Sequence, residues 1–252
     1  MKIIKYNNYI KKRLNINFNN YKDFSEKFSS IELEIIPIQN KYEDFIKIEE
    51  KDKKYFHIYF NDNKEEIKKT YLNEEDKVSK INIIIDYQIK SFKGLFYDCE
   101  YIESINFNKF YRIDITDMSF MFFGCSSLKK LNLSNLNTNN VTDMRSMFYR
   151  CSKLKELNLS NFNTNNVTDM SSMFVLCSSL KKLNLSNFNT NNVTNMRYMF
   201  SDCSSLIELN LSNFNTNDET NMSFMFSGCS DELKLKIRSK YEIFEEMAFD
   251  DD

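Results

Sequence analysis

Six cysteines, one histidine and a short series of aspartates are the residues whose types could do chemistry in this chain. Cys99, Cys125, Cys151, Cys177, Cys203 and Cys229 stand 26 residues apart. A thiolate is a nucleophile and a metal ligand, and two thiols at the right separation form a bridge. Neither activation nor metal binding is legible here, because no Cys-x-x-Cys pair occurs and the only histidine, His57, lies outside the periodic region. Asp117, Asp143 and Asp169 keep the same interval, yet they fall where the start of a helix needs a capping acceptor. There is also no glycine-rich phosphate loop. The chain is therefore expected to have no catalytic, cofactor or metal site and not to be an enzyme.

The interval itself points to the elements that must position these residues. From Ile102 to Ser230 one 26-residue sentence recurs, most clearly as LKKLNLSNLNTNNVTDMRSMFYRCSK from Leu128 to Lys153. A fixed period of this size signals a solenoid, in which each coil buries its apolar side against its neighbours. Within one coil Leu131-x-Leu133 alternates as a strand does, with Lys130, Asn132 and Ser134 outward. The Ser-Asn-x-Asn-Thr-Asn-Asn run is turn chemistry. Met144, Met147, Phe148 and Cys151 then follow the i, i+3, i+4, i+7 spacing of one helix face, with Thr142 or Asp143 as the cap. The cysteines thus belong to an inward face, as free thiols behaving as small hydrophobes. Equivalent Cα atoms roughly 5 Å apart are within bridging range, but parallel Cβ vectors oppose a disulfide.

Stacking gives columns. Leu131, Leu157, Leu183 and Leu209 form one, Leu133, Leu159, Leu185 and Leu211 a second, and Phe110, Leu136, Phe162, Phe188 and Phe214 a spine behind them. Outward strand positions carry Lys130, Glu156, Lys182, Glu208 and Lys234 in alternating sign, beside an asparagine ladder from Asn106 to Asn210; both patterns suit the setting of register. Outward helix positions vary instead: Phe120, Phe123, Tyr149, Val175, Tyr198 and Phe224 point away from the core where other coils place Ser. Exposed apolar clusters usually mark contacts, so these six are the candidate partner-binding residues; the alternative is that the N-terminal cap folds back over Phe120 and Phe123.

The repeated L-x-x-L-x-L-S-N-F-N-T-N-N-V-T-D-M-x-x-M-F-x-x-C-S-x-L resembles the BspA-like leucine-rich repeat family, in its Met-x-x-Met-Phe-x-x-Cys form, a domain of unknown function found in bacterial surface lipoproteins and protist proteins. The resemblance covers roughly residues 81 to 238. It implies a leucine-rich-repeat solenoid used for adhesion or protein recognition without catalysis. Leu136, Phe162, Phe188 and Phe214 depart from the asparagine usual in leucine-rich repeats.

The net charge of −2 supplies no field that would recruit nucleic acid or an anionic membrane. No apolar run approaches the ~18 residues of a membrane span, and the start has no signal-peptide stretch. That favours a cytoplasmic location, whereas the resemblance implies a cell surface; the alternative function is then an adhesin exported by a non-standard route. The expected partner is another protein, and the chain is expected to be monomeric. Residues 1–80 read as a small α+β cap, with a helix over 18–28 and strands over 31–38, 44–50, 54–60 and 65–72. Residues 81–238 read as an α/β leucine-rich-repeat-like solenoid, parallel sheet on one side and short helices on the other, its first strand at Ile81 and its last at Leu235 and Ile237. Residues 239–252 read as a closing helix and a solvated acidic tail.

Overall fold

The computed structural model describes residues 29–216 and 219–251; the helix expected over 18–28 lies outside them. The N-terminal region is built on β1 (Ile31–Pro37), β2 (Phe56–Phe60), β3 (Glu66–Ile67) and β4 (Ile81–Ile85). The array adds β5 (Ile102–Lys109), β6 (Lys130–Asn132), β7 (Lys182–Asn184) and β8 (Glu208–Asn210). A mixed sheet runs β3-β2-β4-β1-β5-β6, and β7 and β8 form a separate pair.

Ile31, Leu33 and Ile35 are buried and alternate with half-buried Glu32, Glu34 and Ile36. β1 is nevertheless an interior strand, antiparallel to β4 on one side and to β5 on the other. Pro37 sits at its last residue, where a missing N–H is tolerated even in an interior strand. The strand at Ile81 consequently does not lie beside that of the next coil, because β1 separates them. Residues 44–50 contribute one antiparallel bridge, Asp44 to Tyr71, in place of a strand, and a 3-10 turn over Glu50–Tyr55 precedes β2.

Within the array, equivalent residues of neighbouring coils face one another at an offset of 26. Ser104, Ile105 and Asn106 pair in parallel with Lys130, Leu131 and Asn132, and Lys182, Leu183 and Asn184 with Glu208, Leu209 and Asn210. The continuous parallel sheet expected along the array is interrupted, since residues 156–158 form no ladder with either neighbour. Single parallel bridges link Ser91, Asp117, Asp143, Asp169, Asn195 and Asn221 in succession.

The short helices do not form. In the coil of Met144, the amide groups of Met144, Ser146, Phe148 and Arg150 donate to the carbonyls of Asp169, Ser171, Met173 and Val175 one coil on. Those of Met147, Tyr149 and Cys151 close turns onto Met144, Ser146 and Phe148, and that of Arg145 donates to Asp143 Oδ1 at 3.0 Å. Every N–H from Met144 to Cys151 is thereby satisfied without an i→i−4 bond, which removes the reason for a helix. The geometry requires left-handed backbone at Ser146 (φ 53°) and Arg150 (φ 58°), and the same two positions have positive φ in every coil from Gly94 to Gly228. Burial still falls on Met144, Met147, Phe148 and Cys151, the pattern that a helix would give.

The polar run stitches coil to coil as well. Thr138, Thr164 and Thr190 are buried; each Oγ1 donates to the carbonyl of Asn163, Asn189 or Asn215 and accepts the same residue's N–H. Phe96, Phe122, Phe148, Phe174, Phe200 and Phe226 stack with centroids 5.5–5.6 Å apart, within 9° of parallel.

The C-terminal end differs from expectation. Ser230 caps α1 (Asp231–Lys240), its side chain accepting from the Leu233 amide. Leu233 and Ile237, four apart, are buried, while Leu235 is 66% exposed, as one helix face requires and a strand would not. Beyond Lys240, over 241–248, only a 3-10 turn at Glu246–Ala248 forms. That segment still closes the array: Phe224 and Phe226 donate to the carbonyls of Met247 and Ala248, and Phe249 stacks on Phe226 at 5.2 Å. Asp250 and Asp251 are exposed, as a solvated tail requires, and Asp251 is also held by Lys234 and the Gly228 amide.

Candidate recognition face

The turn segments bring their outward side chains into columns on one face. Tyr97 stacks on Phe123 at 4.6 Å and Phe123 on Tyr149 at 4.5 Å, both within 9° of parallel. Phe120 leans against Tyr97 and Phe123 at 6.4 and 6.0 Å, with the Arg145 guanidinium 5.7 Å from its ring centre. Val175 follows Tyr149 in the column but is buried, with 6% of its surface exposed. Three coils on from Phe120, at the same position of the repeat, Tyr198 stacks on Phe224 at 5.2 Å, and Arg197 lies 4.6 and 5.5 Å from the two rings.

Five of the six candidates therefore fall into two clusters, Phe120 with Phe123 and Tyr149, and Tyr198 with Phe224, separated by the coil to which the sixth, buried Val175, belongs. Phe120, Phe123, Tyr149, Tyr198 and Phe224 are partly exposed. The described part of the N-terminal cap enters the sheet through β1 and leaves Phe120 and Phe123 in that partly exposed state. Sequence reasoning missed Tyr97, 40% exposed, and the two arginines. The period would have found Tyr97, which precedes Phe123 by one coil.

Residues with catalytic potential are otherwise engaged. The Sγ of Cys125, Cys151, Cys177, Cys203 and Cys229 each donates to a phenylalanine carbonyl of the preceding coil at 3.0–3.2 Å. Burial pushes these thiols far up, that of Cys229 to about 12. Asp117, Asp143 and Asp169 accept the amide two residues on at 2.8–3.0 Å. They shape turns rather than cap helices. Burial raises the Asp143 carboxyl, against the Arg145 amide and guanidinium, which act to lower it. His57 lies between Glu66 and Asp86, at 3.2 and 3.3 Å. Among the described residues no cluster could hold a metal ion, and no helix is long and apolar enough to cross a membrane.

The strand face carries one ion pair of the expected charge column, Lys182–Glu208 at 2.6 Å. Lys234 leaves that column for α1. Asn132 donates to Asn106 at 2.7 Å, but Asn132, Asn158, Asn184 and Asn210 each turn their side-chain oxygen to the amide two residues on.

A family model described as "Mycoplasma protein of unknown function, DUF285" matches residues 90–184 and 155–241. Together these cover more than half of the chain. The chain belongs to that family. The two DUF285 matches overlap within the periodic region, and the second ends at Tyr241, just after α1. No curated protein and no solved structure matches the chain.

Proposed function

We propose that the chain is a non-enzymatic recognition module: a leucine-rich-repeat-like solenoid over residues 81–238, capped by residues 1–80 and 239–252, that binds a protein partner through the aromatic turn face. The observation carrying this reading is the stacked tier Tyr97, Phe123 and Tyr149 with Phe120 beside it, partly exposed aromatic surface that no described segment covers. Stacked rings lose little side-chain entropy on binding, and arginine beside aromatic rings is the composition of interface anchors. Phe120, Phe123, Tyr149, Tyr198 and Phe224 remain the proposed contacts; Val175, buried in the coil between the two clusters, is left out of them.

The test is capture of partners from source cells by the intact chain, compared with a Phe123→Ser/Tyr149→Ser variant whose fold is checked by circular dichroism. Truncating a true aromatic anchor costs ~2 kcal/mol or more, about thirtyfold in affinity. The partner should be lost. A partner retained by that variant and lost by Asn132→Lys would place binding on the strand face and refute the assignment.

A further inference from the structure

A groove of about 1220 Å³ runs over the strand face of the last coils and is closed on one side by α1. Its apolar floor is made by Leu157, Leu183, Leu209 and Ile207 from the coils and by Leu233 and Ile237 from α1. Ile207 is 42% exposed there, a large aliphatic side chain in a position that the three preceding coils fill with Lys129, Lys155 and Lys181. The lining carries five lysines against two glutamates. Lys182 is paired with Glu208 and Lys236 with Glu232, whereas Lys155, Lys181 and Lys240 form no ion pair among the described residues. Residues 156–158, in the middle of the groove, are also the coil segment that pairs with neither neighbouring strand.

We propose that this groove binds an acidic, extended peptide segment of another protein, one whose alternate side chains are apolar. An extended chain presents alternate residues to one side, so its apolar set meets the leucine floor while its carboxylates reach the lysine rim. Uncompensated lysines on a low-dielectric floor favour an anion over a neutral ligand. The chain's own segments do not fit as well. Asp251 is already bound to Lys234 and Gly228, and residues 1–28 carry seven Lys and Arg against two acidic residues, the sign of the groove itself.

The experiment uses the full chain and a fluorescein-labelled peptide of about eight residues alternating Asp or Glu with Leu or Val, read by anisotropy. Two control peptides replace the acidic residues by Lys or the apolar ones by Ser. The acidic apolar peptide should bind at least about tenfold more tightly than either control. Lys155→Glu/Lys181→Glu should weaken it by a similar factor, as should Ile207→Ser, an exposed change that does not depend on the double variant folding. Tyr149→Ser should leave it unchanged, which separates this groove from the aromatic face. Equal binding of the Ser peptide or the Lys peptide, displacement by heparin with no dependence on Ile207, or indifference to Lys155→Glu/Lys181→Glu would overturn the proposal.

Discussion

At the scale of single residues, the thiols and the aspartate series have been drawn into the stack. Each thiol from Cys125 onward is a buried donor to the preceding coil, and burial holds it protonated, so it is a poor nucleophile at neutral pH. A thiol reagent applied to the native protein should modify none of the six cysteines quickly and all of them after denaturation; rapid native labelling of Cys151 or Cys177 would refute this. Asp143 makes a sharper case. Its carboxyl is raised by burial, so as pH falls the folded state takes up a proton before the unfolded chain does, near the ordinary value of ~3.9. The wild type should therefore gain stability relative to Asp143→Asn as pH is lowered toward that value. At neutral pH the variant should differ by less than about 1 kcal/mol, because the Arg145–Asp143 pair is partly exposed and Asn195 already fills the same turn role two coils on. Identical pH profiles for the two proteins would mean that Asp143 titrates as a free carboxylate.

At the scale of elements, the turn segment separates what the sequence disclosed from what it concealed. The coil period, the inward columns and β1 at Ile31–Pro37 follow from burial patterns that only one register satisfies. The helix reading of Met144–Cys151 failed because a ladder of turns at this spacing buries the same i, i+3, i+4 and i+7 positions. The discriminating signal was present but sparse: all three glycines, Gly94, Gly124 and Gly228, fall at the positive-φ positions, where other coils force Asp, Phe, Ser, Arg, Leu or Tyr. The last strand at Leu235 and Ile237 was misjudged for the converse reason, since Leu233 and Ile237 share a helix face as well as a strand alternation. The insertion of β1 had no sequence signature at all, because antiparallel pairing with β4 and β5 depends on the path of the chain. A stability measurement decides between helix and ladder by sign. A non-glycine residue in the left-handed region costs roughly 1–2 kcal/mol, so Arg150→Gly should be neutral or stabilising by about 0.5 kcal/mol after the entropy of the unfolded chain is counted. In a helix the same change would destabilise by about 1 kcal/mol.

At the scale of the whole molecule, hydrogen bonds from each coil to the next, the phenylalanine stack and the closing segment at Phe249 make one continuous support for the side chains outside it. The aromatic tier is held in register by the same ladder that satisfies the backbone, which is why rings 4.5 Å apart can remain parallel while partly exposed. The groove beside α1 lies on the strand face and is served by different residues, so the two surfaces can be altered separately. The aromatic face was largely legible from the period, because outward positions vary where inward ones do not; Val175, which is buried, is the exception. The most direct test of recognition by this face is photo-crosslinking in source cells, with a benzophenone side chain placed at Phe123 in one protein and at Asn132 in another. An adduct to a single partner from position 123 and none from position 132 is the expected result; an adduct from position 132 alone, with position 123 silent, would contradict it.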